Sequence, residues 1–252
     1  MKNIKNLRTP FLCLFLLSGF LSLYAQTAQT WKNYTCMKSV EALAVSNSTI
    51  WAATGGGVFN YTPANGTIQQ YNNSQGVPSN NLTAIGVDTA QRIWVGGLDG
   101  SIGVFTQNGA SWTTISDIKN IDPTIRPQKG IQDFFVSGDT MFVATQFGVS
   151  VFRISEWSFG DTYANYGFSP SPTVTRVVVQ GGRIWVGTTS GIASASLTFP
   201  YLSASDPWTK YSLSPALSSS SVTALVVYNN TLIVGTSVGA AAFVNNSFQT
   251  IS

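Results

Sequence analysis

The sequence has little charge, no histidine and almost no cysteine. Only 9% of its 252 residues are Asp, Glu, Lys or Arg, compared with about 25% in ordinary soluble domains. The absence of histidine excludes Ser-His-Asp and Cys-His catalytic sites and removes the commonest protein ligand of transition metals. We expect no cofactor and no bound metal.

The two cysteines cannot form a structural disulfide in the mature protein. Cys13 lies within an N-terminal targeting segment, so Cys36 has no partner for an internal bridge. A zinc site of the Cys-x-x-Cys kind is excluded for the same reason. We expect Cys36 to be a small buried thiol; the alternative is a reactive or intermolecular thiol.

A long apolar run occurs only at the N-terminus. Phe11–Leu23 is apolar and follows Lys2, Lys5 and Arg8, which is the arrangement of a secretory signal peptide. The sequence therefore predicts a signal peptide over residues 1–25 and an exported protein, whether periplasmic, on the outer surface or secreted. The alternative is an uncleaved anchor. No later stretch is long enough to span a bilayer, so we expect no membrane insertion after cleavage.

The formal net charge of +3 does not indicate a nucleic-acid partner. Lys2, Lys5 and Arg8 account for all of it, so the remainder of the chain has equal numbers of basic and acidic residues. No basic run with interleaved aromatic residues follows. We therefore expect no nucleic acid among the partners.

One short apolar strand recurs five times along the chain. Its copies begin at Ile50, Ile93, Met141, Ile184 and Leu232, at the spacing of roughly 40–50 residues that propeller blades show. Each copy follows an apolar strand and a turn rich in Asn, Gly, Asp or Ser, and precedes two further strands. This pattern predicts an all-β fold, a β-propeller of four-stranded antiparallel blades.

About five blades are predicted, arranged as an incomplete ring. The propeller domain would cover residues 26–252, with blades at residues 40–71, 82–115, 131–166, 174–211 and 222–251. In the third blade the outer strand is predicted at Thr162–Tyr166. A further strand at residues 31–35 would be the outer strand of a closing blade, which suggests a fragment of a longer protein; the alternative is a closed five-bladed ring. An incomplete ring would expose two apolar blade faces.

The innermost strand of each blade is apolar at nearly every position. Strands buried on both faces have this composition, and in a propeller a neighbouring blade covers each face. Trp51, Trp94 and Trp185 belong to the adjacent strands. We expect these rings to pack between blades and not to stack on a ligand.

Three segments of the second unit resemble the two-component regulator propeller repeat. Gly76–Leu82 is similar to that family's Gly-Leu-Pro-Ser-Asn opening, Asp88 to its hairpin Asp, and Ile93–Gly96 to its Leu-Trp-Val-Gly strand. In the fourth unit, Ile184–Thr188 with Gly191 is similar to the same strand of the family and the glycine that follows it. Units three and five lack the Trp and the Pro-Ser-Asn opening.

This resemblance implies an extracytoplasmic bacterial propeller. Such propellers occur as sensor domains of hybrid histidine kinases, often responding to glycans, and in surface proteins of Bacteroidetes. The start of the chain, with Tyr24-Ala25-Gln26 before the propeller, also resembles the propeller-bearing surface proteins of the type IX secretion system. A kinase or sorting domain would belong to a further part of the same longer protein.

Two classes of function are compatible with these residues. The first is a non-catalytic binding module that senses or docks a glycan or a protein ligand, with further domains of the same protein as additional partners. The second is a propeller glycoside hydrolase or lyase that uses paired carboxylates. A groove lined by Asn, Arg and aromatic side chains would favour binding, whereas two carboxylates facing each other across a groove would favour hydrolysis.

The candidate ligand contacts lie on the face that carries the loops between blades. The longest linker, Lys119–Gly130, contains two prolines that limit its freedom, and long ordered loops are often functional. The predicted ligand contacts on this face are Asn80, Asn81, Asp99, Arg126 and Lys129.

Two further candidates lie beside the propeller axis. Asp133 and Arg176 hold the third position of their inner strands, where the other blades have Ala. They are interpreted either as an ion pair that joins blades three and four or as a channel-mouth site for a polar ligand.

Overall fold

The computed structural model describes residues 35–251, apart from the side chain of Asn108. The predicted signal peptide and nearly all of the strand predicted at residues 31–35 lie outside this part of the chain. Thr35, which lies inside it, is not in a strand.

Five antiparallel sheets of four strands follow one another along residues 40–250. Blade 1 contains β1 (Val40–Ser46), β2 (Thr49–Thr54), β3 (Gly57–Thr62) and β4 (Thr67–Tyr71). Blade 2 contains β5 (Leu82–Val87), β6 (Ile93–Gly97), β7 (Ile102–Thr106) and β8 (Ser111–Ile115). Blade 3 contains β9 (Ile131–Ser137), β10 (Thr140–Thr145), β11 (Gly148–Arg153) and β12 (Ser158–Tyr163). Blade 4 contains β13 (Val174–Gln180), β14 (Arg183–Thr188), β15 (Gly191–Ser196) and β16 (Thr209–Tyr211). Blade 5 contains β17 (Val222–Tyr228), β18 (Thr231–Thr236), β19 (Gly239–Val244) and β20 (Ser247–Thr250).

Strands dominate this part of the chain, as the repeat predicts. The only helices between residues 35 and 251 are two 3₁₀ turns, Asn73–Gln75 and Gln107–Gly109. None of these residues forms a helix with the length and apolar composition that crossing a membrane requires. The prediction of an all-β fold built from five four-stranded blades is confirmed.

The same β-bulge occurs near the start of every inner strand. In β9, for example, Ile131 and Asp133 pair with consecutive residues of β10, so Gln132 is the extra residue. Equivalent register shifts follow Val40, Leu82, Val174 and Val222. A bulge re-aims the side chains beside it, and here it sets the direction of the third residue in each inner strand.

The core consists of aromatic and aliphatic side chains between consecutive blades. Trp51, Trp94 and Trp185 are 2%, 0% and 4% exposed. Each ring contacts a phenylalanine of the following blade, with centroid distances of 5.2, 5.3 and 4.8 Å to Phe105, Phe152 and Phe243. The prediction that these tryptophans pack between blades is confirmed.

The five blades form an open arc within residues 35–251. The inner strands β1, β5, β9, β13 and β17 pack in that order, and no comparable contact joins β1 to β17. Leu43 and Val45 of β1 are 64% and 66% exposed, and Val226 of β17 is 51% exposed. The predicted incomplete ring implies these two exposed apolar faces, because no blade covers the outer faces of the first and last blades in this arc.

Two local predictions were wrong. The outer strand of blade 3 is Ser158–Tyr163 and not Thr162–Tyr166, because a tight turn ending at Trp157 starts it early. Tyr166 instead leaves the sheet, and its hydroxyl accepts a hydrogen bond from the Val149 amide at 3.1 Å. Cys36 is exposed and not buried, since it lies on the surface segment before β1.

A threonine closes the bend between the second and third strands in four of the blades. Its hydroxyl donates to the carbonyl of a glycine three residues later, whose positive φ only glycine adopts readily. The four pairs are Thr54 with Gly57, Thr145 with Gly148, Thr188 with Gly191 and Thr236 with Gly239, at 2.7, 2.8, 2.9 and 3.3 Å. The bends thereby hold a fixed shape on one face of the propeller.

Thr188→Val should destabilise the protein by about 1–3 kcal/mol, because it removes the hydroxyl that donates to the buried Gly191 carbonyl and accepts from the Ser190 amide. Thr236→Val is the matched control, since the same hydrogen bond there is longer and exposed, and it should cost less than about 1 kcal/mol. Chemical denaturation of both variants measures the difference. Equal losses of unfolding free energy in the two variants would contradict a stabilising role for the buried hydrogen bond in the blade 4 bend.

Candidate ligand-binding groove on the loop face

One face of the propeller carries both the inter-blade linkers and the bends between second and third strands. We call it the loop face. The Asp99 carboxylate in the β6–β7 bend forms an ion pair at 2.8 Å with Lys119 of the linker that follows blade 2. In the next blade the Gln146 side chain accepts a hydrogen bond from the Gly130 amide at 2.9 Å. These contacts tie bends and linkers into one surface.

A groove of about 620 Å³ opens on the loop face at the end of blade 3. Its walls come from the linker before blade 3, the β10–β11 bend and the linker after blade 3. The lining residues are Ile125, Arg126, Pro127, Gln128, Gln146, Phe147, Ala164, Asn165, Ser171, Pro172 and Thr173. Arg126 supplies the one charge of this lining, and no Asp or Glu contributes to it.

Hydrogen bonds hold the linker before blade 3 in a compact turn. The Asp122 carbonyl accepts from the amides of Ile125 and Arg126, each at 3.0 Å. Its carboxylate accepts from the hydroxyl and the amide of Thr124 at 2.7 and 2.8 Å, and these hydrogen bonds lower the pKa of Asp122. The turn places the Arg126 guanidinium 5.3 Å from the centre of the Phe147 ring.

Among the predicted ligand contacts, Arg126 lines this groove. Lys129 instead donates to the carbonyls of Lys119, at 2.8 Å, and of Ile121. Burial raises the pKa of Asp99, but hydrogen bonds from Lys119 and Ser101 outweigh it and lower that pKa overall. Lys129 and Asp99 are thus engaged within the protein, and their contact with a ligand stays a prediction.

The two predicted asparagines lie one blade away from the groove. The Asn80 side chain accepts a hydrogen bond from the Asn73 amide at 3.0 Å, which shapes the linker between blades 1 and 2. The Asn81 side chain is exposed, and its carbonyl accepts from the Leu98 amide at 3.0 Å. A ligand contact at Asn80 or Asn81 also stays a prediction.

Asp133 and Arg176 join blades 3 and 4 through the backbone. The Asp133 carboxylate accepts from the Val177 amide at 3.1 Å. The Arg176 guanidinium donates to the Gln132 carbonyl at 3.4 Å and to the Thr175 carbonyl at 2.6 Å. The ion pairs within residues 35–251 are Arg92–Asp88 and Lys119–Asp99, so the expected ion pair between Asp133 and Arg176 is replaced by these backbone contacts. The bulges at the second positions of β9 and β13 account for this, since they set where both side chains point.

Sequence reasoning missed most of the groove. Gln146 and Phe147 occupy a bend where the corresponding residues of blade 1 are Gly55 and Gly56. An alignment of this bend with those of blades 1 and 4 would have marked Phe147, because the corresponding residues there are Gly56 and Ser190. The opposite wall, from Ala164 to Thr173, carries no such signal because its linker has no counterpart of similar composition.

The half-buried Asp133 predicts a pH dependence of stability. Burial raises the pKa of Asp133 from 3.8 to about 6, so between about pH 4 and 6 the folded protein holds a proton that the unfolded chain has lost. Stability from this group is then present below about pH 4 and is lost as the pH rises through about 6. Asp133→Asn keeps an acceptor for the Val177 amide and should remove this loss.

Denaturation at about pH 4.5 and 7.5 tests that expectation. The loss of stability between the two pH values should be smaller in Asp133→Asn than in the wild type by on the order of 2 kcal/mol. A profile that is identical in wild type and Asp133→Asn would refute the assignment.

Comparison with solved structures supports the propeller fold. PorZ of Porphyromonas gingivalis, an essential bacterial surface component of the type IX secretion system, aligns with a TM-score of 0.70 and 18% identity over 88% of this chain and 29% of its own. The extracellular domain of the hybrid two-component system BT4673 of B. thetaiotaomicron aligns with a TM-score of 0.68 and 14% identity, over 84% of this chain and 28% of its own.

A third solved structure also aligns with most of this chain but with only a small part of its own length. The extracellular domain of the hybrid two-component system BT3049 of B. thetaiotaomicron aligns with a TM-score of 0.65 and 18% identity over 86% of this chain and 30% of its own. This chain thus spans less than a third of each of these three structures. No curated protein matches the chain.

The family model of the PorZ N-terminal β-propeller domain matches residues 50–209, which is more than half of the chain. This match and the structural neighbours confirm the resemblance to two-component regulator propellers and to propellers of type IX secretion surface proteins. The chain belongs to the family of PorZ N-terminal β-propeller domains.

Proposed function

We propose that this chain is an exported, non-catalytic docking module that holds a segment of a partner protein in the loop-face groove. The observation that carries the proposal is the groove at the loop-face end of blade 3, in which Arg126 lies over Phe147 among amides and prolines. The kinship with PorZ, a surface component of a secretion system, supports an exported role among other proteins.

The lining suits a polypeptide. Arg and aromatic side chains are enriched at the centres of protein interfaces, and Ile125 beside them is 64% exposed. The amide groups of Gln128 and Gln146 can hydrogen-bond the backbone of an extended segment. Because the single charge is positive, a segment that is neutral or mildly acidic would fit best.

The lining does not suit hydrolysis of glycosides. Retaining and inverting glycosidases both need two carboxyl groups on either side of the scissile bond. The groove has none in its lining, and Arg126 is its one ionisable group. Three structural neighbours are a secretion component and extracellular domains of signalling systems, which favours binding over catalysis as well.

Photo-crosslinking in the exporting cell tests the proposal. A photoreactive residue at Gln128, inside the groove, should give an adduct with one partner segment. The same residue at Thr113, exposed on outer strand β8, should not. Arg126→Ala should reduce the adduct at Gln128 about tenfold, because truncating such an interface anchor costs more than about 1 kcal/mol.

Other outcomes would replace the proposal. Equal crosslinking from both positions would show that the groove has no special role. Binding of a glycan that depends on Arg126, with no protein adduct, would make the ligand a glycan. Release of a reducing sugar from an oligosaccharide by the purified chain would restore the hydrolase reading.

A further inference from the structure

The arc of five blades leaves one face of blade 1 uncovered, which we call the first face. Successive residues of a strand point to opposite sides of its sheet. Ala42 and Ala44 of β1 pack toward blade 2, so Leu43 and Val45 belong to the first face, where they are 64% and 66% exposed. The residues at the position of Leu43 in the other inner strands are buried against the preceding blade and are at most 8% exposed: Ile85, Phe134, Val177 and Leu225. The first face is therefore of the kind that a preceding blade covers at each of the four junctions.

Blade 5 has an uncovered face of the opposite kind, which we call the last face. Leu225 of β17 packs toward blade 4, so Val226 and Tyr228 lie on the last face, where they are 51% and 65% exposed. In blade 4 the counterpart of Val226 is Val178, which is 5% exposed because blade 5 covers it. The last face is thus of the kind that a following blade covers.

Aromatic contacts at the junction between blades 4 and 5 show how the two kinds of face fit together. Trp185 of blade 4 packs on Phe243 of blade 5, with a centroid distance of 4.8 Å. On the last face Ile233 holds the position of Trp185, and on the first face Tyr61 holds the position of Phe243. Both Ile233 and Tyr61 are half-buried. A tyrosine ring packed on this isoleucine would repeat the contact of an aromatic ring with an apolar side chain that joins consecutive blades.

The two end blades carry almost no charge. Residues 222–251 of blade 5 include no Asp, Glu, Lys or Arg. Residues 40–71 of blade 1 include one charged residue, Glu41, whose carboxylate accepts a hydrogen bond from the Ser39 hydroxyl at 2.8 Å. The centres of protein interfaces are depleted in charged residues, and contiguous exposed apolar patches mark interaction sites. The composition of both blades therefore favours an apolar protein surface as the partner.

We propose that the last face of one copy of this chain packs on the first face of a second copy, as consecutive blades pack within the chain. A second copy is the partner that the structure supports, because every junction pairs one face of each kind and the arc leaves one of each kind free. Since the two faces differ, the contact is heterologous and joins copies head to tail, into a closed ring or an open chain. Neither face shares a residue with the loop-face groove, so this inference does not depend on the proposed function.

Sedimentation velocity of the chain without its predicted signal peptide tests this association. Between about 1 and 100 μM, where contacts of modest affinity saturate, the mean mass should rise from that of a monomer. Leu43→Lys on the first face and Val226→Lys on the last face should each weaken self-association at least about a hundredfold, because a lysine buried in this contact has no partner. Both side chains are exposed within one copy, so both variants should fold as the wild type does. Tyr201→Lys, 70% exposed on the loop between β15 and β16, is the matched control and should associate as the wild type does.

A mixture of the two variants distinguishes a head-to-tail contact from other kinds of association. Leu43→Lys keeps an intact last face, and Val226→Lys keeps an intact first face. Their equimolar mixture should form a dimer with one intact contact and no larger species, although each variant alone stays monomeric. A two-fold dimer of identical faces would instead leave one of the two variants able to dimerise by itself.

Several results would overturn the proposal. It is wrong if the wild type stays monomeric over the whole range, since the end faces would then take no second copy. It is also wrong if either Leu43→Lys or Val226→Lys self-associates as the wild type does, or if Tyr201→Lys weakens association as much as they do. Should a variant fail to fold, Val45→Lys or Tyr228→Lys replaces it on the same face. Should the wild type precipitate, the absence of a dimer in the mixture of the two soluble variants would refute the contact.

Discussion

Packing of one blade's aromatic ring against the next blade is the interaction on which the rest of this structure depends. A four-stranded sheet with a neutral, apolar sequence cannot bury both of its faces alone. Trp94, with no exposed surface, is covered by Phe152 and Trp157 of the following blade. Burial of this kind contributes several kcal/mol per ring, so each blade is stable because of its neighbour.

The proposed site on the loop face follows from a local departure from the repeat. On the loop face, Gln146 and Phe147 stand where blade 1 has Gly55 and Gly56, and they form one wall of the groove that Arg126 lines. At the hairpin side of the first junction, Ala110 stands where Trp157 stands at the second, and Tyr71 stacks on Trp51 instead, with a centroid distance of 5.9 Å. The scaffold is repetitive, whereas the loop-face groove lies where single residues break the repeat.

The fold was predictable from local sequence patterns: five apolar strands occur, and each is followed by a hairpin and a second apolar strand, which is aromatic in four of the five blades. The early start of β12 was not predictable, because no clear sequence signal indicates the positive φ at Trp157. Of the candidate residues, Arg126 lines a groove, whereas Lys129 and Asp99 bond within the protein. Polar residues on a linker can bind a ligand or can hold the linker's own conformation. Only the three-dimensional contacts distinguish these two roles.

Hydrogen exchange on Trp94→Ala tests the dependence of one blade on another most directly. Removing this ring from blade 2 should cost about 3–5 kcal/mol, and amides in β10 and β11 of blade 3 should lose protection together with those of β6 and β7. Loss of protection confined to blade 2, with blade 3 exchanging at the wild-type rate, would contradict the account.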